Sequence, residues 1–144
     1  MGTRSMILYK KEDGTLKGSY FHFDGYVEYT GVMLLKHYDS YEKAKELIEF
    51  SPANSSIEQS IEKMIEEESA YKDESKHYLF DSINSLINEL KSGKHSLIEF
   101  VYLFDRDSNS WSFTMPERID AEHYQVLFMD LKRYCICEGV KFND

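Results

Sequence analysis

Cysteine, proline and glycine are scarce: the 144 residues hold two, two and seven of them. Two cysteines, Cys135 and Cys137, cannot frame a disulfide-stapled secreted domain, and so few breakers exclude a linker-rich or low-complexity chain. No stretch approaches the roughly 18 apolar residues of a membrane span. The start, Met1-Gly2-Thr3-Arg4-Ser5-Met6, lacks the apolar core of a secretory signal. Basic residues are outnumbered, 17 against 26 acidic, for a formal net charge of −9. That balance repels nucleic-acid phosphate and anionic membrane, because binding to both rests on clustered Lys and Arg. The expectation is a single domain, residues 1–144, working in the cytoplasm, with basic partners favoured and neither nucleic acid nor membrane among them.

Aromatic residues, by contrast, make up 15 % of the chain, with 11 Tyr and 9 Phe. They are densest in Gly18-Ser19-Tyr20-Phe21-His22-Phe23-Asp24-Gly25-Tyr26, closed by Gly31. This run reads either as a tightly specified core corner or as a recognition surface.

Alternation of apolar residues predicts a strand at 6–10, an Asp13-Gly14 turn, and a second strand at 16–23. A helix follows from Val32 with Leu35 and Tyr38 inward. Asp39-Ser40 caps another at 41–50 that buries Ala44, Leu47 and Ile48. Pro52 breaks it. Ser56-Ile57-Glu58-Gln59 reads as a capping box opening a helix to about 70, and Leu79, Ile83, Leu86, Ile87 and Leu90 mark a helix at 76–91. The run 97–105 is the strongest strand, apolar enough to be central; 111–115 returns antiparallel to it. A last helix is expected at 120–137, with Tyr124, Leu127, Phe128, Leu131 and Tyr134 inward. The fold class is α+β: an antiparallel sheet of about four strands in two hairpins, amphipathic helices on one face, and 51–96 a helical insertion between the hairpins.

No complete catalytic or metal motif is present, and no cofactor is expected. His22 and Asp24 share one strand face and could hold a metal with a third ligand from His37, His77, His95 or His123; a turn would use Asp24 equally well. Cys135 and Cys137 fall on different faces of a helix and read as packing thiols. Glu58, Glu62, Glu66 and Glu67 form a solvated helix face or an acidic docking surface. Tyr20, His22, Asp24, Tyr26, Tyr29 and Trp111 form a candidate binding corner, because Tyr and Trp combine large area with a polar handle. Arg4 and Lys17 are candidate anion contacts. Sheet edges leave self-association open.

Gly2-Thr3-Arg4-Ser5, the Tyr20–Tyr26 run, Gly31-Val32-Met33-Leu34-Leu35, Tyr38 with 43–48, and 99–105 with Trp111 resemble a set of small bacteriophage and prophage accessory proteins. The likeness covers residues 2–50 and 97–112. It implies a phage-encoded protein acting in the host bacterial cytoplasm by binding and inhibiting a host protein, a nuclease or an anti-phage defence component. It carries no site. An alternative expectation is a sponge for a small nucleotide-like signal, with aromatics against a base and Arg4 or Lys17 on phosphate. A second alternative is a metal-dependent enzyme using His22 and Asp24.

Overall fold

The computed structural model describes residues 3–50, 53–54, 57–66, 70–71 and 78–142. Strands β1 (Ser5–Lys10) and β2 (Leu16–Phe21) form the expected hairpin, Ile7 opposite Ser19. In its turn the Asp13 carboxylate accepts from the Thr15 N–H and hydroxyl at 3.0 and 2.6 Å. A π-helical turn (Val27–Gly31) runs into α1 (Val32–His37), and α2 (Tyr41–Phe50) follows. Ala44, Leu47 and Ile48 are fully buried, as the periodicity of α2 requires.

The next segment departs from the all-helical expectation. Strand β3 (Ala53–Asn54) precedes α3 (Ile61–Glu66), and β4 (Ala70–Tyr71) lies where that helix was expected to end. Among the described residues the Ser60 hydroxyl accepts from the Lys63 N–H at 3.1 Å, so a cap stands four positions beyond the Ser56 of the expected capping box, which lies outside them. Strand β5 (Tyr78–Phe80) replaces the first turn of the helix expected at 76–91. Ser82 then caps α4 (Ile83–Lys91), accepting from the Ser85 N–H at 3.1 Å.

Strands β6 (Phe100–Asp105) and β7 (Ser110–Thr114) form the second hairpin. The helix expected at 120–137 is confined to its second half. Short strands β8 (Glu117–Arg118), β9 (Tyr124–Gln125) and β10 (Met129–Asp130) come first, and α5 spans Leu131–Glu138. The local cause is Asp120, whose carboxylate accepts from the Glu122 N–H at 2.9 Å and from the His123 ring at 2.8 Å. This turn competes with helix. Asp130 supplies the cap, accepting from the Arg133 N–H at 2.8 Å. Leu127, expected inside, is exposed.

The sheet is larger than four strands and not wholly antiparallel. Its path runs β10-β7-β6-β1-β2-β3-β4, with β5 also on β2. The hairpins meet through a parallel pairing of β1 with β6, Ile7 opposite Tyr102. Both strands are nearly continuous in apolarity and buried on both faces, which places them at the centre. For the same reason helices cover both faces rather than one. Ile7, Tyr9, Tyr102, Phe104, Trp111 and Phe113 pack with residues of α1, α2, α3 and α5. Met6, Leu8, Leu16, Val101 and Leu103 pack with Leu86 and Leu90 of α4. No described helix is long and apolar enough to cross a membrane.

Candidate functional site

The aromatic residues of the expected binding corner divide between the two faces of the sheet. Trp111 is buried on the face that packs against α1, α2, α3 and α5 and donates from its indole N–H to the Tyr38 carbonyl at 3.0 Å. Tyr29 packs on that same face, its hydroxyl donating to the Ile57 carbonyl at 2.7 Å. Tyr20 joins the opposite, α4-covered face. The six residues of the expected corner therefore do not form one surface.

Between the faces the chain turns sharply. Asp24 takes a φ of 58°, and its carbonyl accepts from the Thr30 hydroxyl at 2.6 Å. The Gly25 N–H donates to the Thr3 carbonyl at 2.9 Å, and the Gly25 carbonyl accepts from the buried Tyr102 hydroxyl at 2.6 Å. A Cβ on Gly25 would lie 2.7 Å from that same Thr3 oxygen and from Ser5 Cβ, so the close approach demands glycine. Much of the motif thus builds the corner itself. Phe23 and Tyr26 remain at its rim, 43 % and 38 % exposed. The nearby Asp24 carboxylate, ahead of slight burial, raises the Tyr26 phenol above its usual range.

Among the described residues His22 and Asp24 acquire no third ligand, and His77 lies outside them. His22 Nδ1 lies 2.6 Å from the Tyr20 hydroxyl, and its ring meets Phe23 edge-on at 4.5 Å. Among the described residues no group of three His, Cys, Asp or Glu side chains is placed to hold a metal ion. Cys135 is buried and Cys137 exposed, on the separate faces their spacing implies. Of the acidic set, Glu62 is exposed and Glu58 half-buried, its backbone carbonyl accepting from the Tyr38 hydroxyl at 2.7 Å. The Glu66 side chain and all of Glu67 lie outside the described residues.

Arg4 and Lys17 also separate. Lys17, opposite Tyr9 in the hairpin, pairs with Glu49 of α2 at 2.6 Å, and the Tyr9 hydroxyl donates to the same carboxylate at 3.0 Å. Arg4 stands on the α4 side and lines an open cavity of about 480 Å³ together with Tyr20. That volume falls within the range of small-molecule sites, about 300–1,000 Å³.

Arg4, just before β1, and Tyr20 and Tyr78 of strands β2 and β5 reach this cavity from the sheet side; the loop after α4 supplies Lys94, His95 and Ser96, with Leu97 and Ile98 adding apolar surface. Tyr78 faces the cavity because β5 pairs with β2 in a register that sets it opposite Gly18, two residues from Tyr20. The loop is tied to the sheet by its own backbone: the N–H groups of Glu99 and Phe100 donate to the Arg4 carbonyl at 2.9 and 3.3 Å. The Tyr78 and His95 rings meet edge-on, 5.7 Å between centroids. Burial, and then the neighbouring Tyr20, push the Tyr78 phenol up, so it stays a donor at neutral pH.

No carboxylate lines this cavity among the described residues, whereas two other concavities carry Glu12, Asp13 and Glu49, or Glu117. Glu89 of α4 stands behind the wall, its Oε1 2.9 Å from His95 Nε2 and 3.6 Å from Lys94 Nζ. Chemically, the site offers cations and hydroxyl donors to an anion and phenol rings to a planar group. Sequence reasoning named Arg4 and Tyr20 but missed Tyr78, which it placed in a helix, and gave Lys94 no binding role. The β-type run Tyr78-Leu79-Phe80 before the Asp81-Ser82 cap was the available signal. No family model, curated protein or solved structure matches this chain.

Proposed function

We propose that this protein works by stoichiometric binding of a small anionic ligand bearing a planar ring, of nucleotide-like chemistry. The observation that supports this is the convergence of Arg4, Tyr20, Tyr78, Lys94 and His95 on one concavity in a chain whose net charge is −9. A general excess of acid would repel such a ligand, so a cation-lined pocket whose described lining holds no carboxylate is the place where it can dock. Thermal unfolding with a panel of nucleoside phosphates tests the reading. A ligand at 100 times its Kd adds about 2.7 kcal/mol to stability, a shift that Arg4→Ala and Tyr20→Ala would abolish. Absence of any shift across the panel at millimolar concentration would overturn it.

A second reading, capture of a host protein, draws support from the adjacent exposure of Phe23 and Tyr26. Neighbouring aromatics at a rim suit a protein contact. The double variant Phe23→Ser, Tyr26→Ser would then lose a partner captured from host lysate, while Arg4→Ala would keep it.

A further inference from the structure

We infer that Glu89, behind the cavity wall, is a built-in competitor for two of the cavity's basic groups, and that the phosphate of a bound ligand draws Lys94 and His95 away from it. This rests on the cavity reading above. One carboxylate oxygen of Glu89 serves two of the three basic groups in the lining, His95 and Lys94. Because a carboxylate only accepts, His95 Nε2 is the donor in this contact and is already engaged by Glu89. Arg4 differs. No carboxylate pairs with its guanidinium among the described residues; Glu99 instead accepts from its backbone N–H at 3.2 Å.

An incoming anion therefore meets Arg4 first and competes with Glu89 for the other two. Exchange is inexpensive. The Glu89 side chain is 33 % exposed and that of Lys94 is 67 % exposed, so a displaced carboxylate rehydrates without disturbing the core. The competition also sets ligand class. A singly charged carboxylate gains little by replacing another, whereas a phosphate monoester brings nearly two charges and three acceptor oxygens. The cavity should then prefer nucleoside monophosphates to nucleosides or to ring-bearing carboxylates.

The test measures AMP and adenosine binding by calorimetry to the full chain, to Glu89→Gln and to Glu89→Ala. Both variants should bind AMP roughly three- to fivefold more tightly, the scale of a half-exposed ion pair, with adenosine affinity unchanged. If the unaltered chain binds AMP and neither variant gains, or if adenosine gains equally, the exchange is overturned while the cavity reading stands. If none of the three binds AMP or adenosine, both fall.

Discussion

The Tyr102 hydroxyl donates a 2.6 Å hydrogen bond to the Gly25 carbonyl, joining the middle of a central strand to a turn 77 residues earlier. Both residues are buried. The bond explains why a tyrosine interrupts an otherwise apolar core strand: the turn brings a carbonyl inside, and that carbonyl needs a donor.

Tyr102→Phe should therefore destabilise the fold by about 1–3 kcal/mol, because it strands a buried acceptor while keeping the ring. Urea denaturation reads the change. An unaltered midpoint would mean that the Gly25 carbonyl finds another donor.

Gly18→Ala should also destabilise, although replacing glycine usually helps. A Cβ there would lie 2.6 Å from Leu8 Cγ and 2.9 Å from the Ile7 carbonyl. Reduced unfolded-chain entropy contributes about 0.4–1 kcal/mol in favour, against about 1–3 kcal/mol for overpacking. A net loss in thermal stability is the expected outcome.

Alkali should unfold the protein cooperatively. Burial raises the phenols of Tyr9, Tyr38 and Tyr102, with Glu49, Glu62 and Glu28 adding to each in turn. Folded values above the unfolded one mean the stability they contribute is complete below pH ~10 and is lost as pH climbs past it. Phenolate absorbance should rise in two stages, the second coinciding with loss of secondary structure. A single smooth titration would contradict this.

The two thiols should react at different rates. Cys137 is exposed, whereas Cys135 is buried and its thiol is pushed up by that burial and then by Glu28. A thiol reagent should label one equivalent quickly and the second only on unfolding. Fast modification of both would show that α5 detaches readily.

Local signals carried the first hairpin, α2 and the second hairpin, because each is set by turn chemistry or periodicity within a few residues. Asp13-Gly14 fixes one turn, and Ala44, Leu47 and Ile48 lie on one helical stripe. The region 117–130 misled because Tyr124, Leu127 and Phe128 fall at helical spacing, yet the Asp120 side chain organises a turn there instead. Of the candidate site, Arg4 and Tyr20 were legible as cation and aromatic. Their partnership with Tyr78, Lys94 and His95 was not, since it arises from strand register and from a loop returning to the sheet.

By itself the sequence determined the class: an aromatic-rich, acidic α+β chain with strands at 6–10 and 97–105, the second apolar enough to be central. Tertiary structure alone decided that these strands lie side by side and parallel, both buried on two faces, which divides the helices between those faces and sends Tyr20 and Trp111 to opposite sides. The physical reason is range. Propensity and periodicity act over a few residues, whereas strand order is chosen by the joint burial of segments nearly a hundred residues apart.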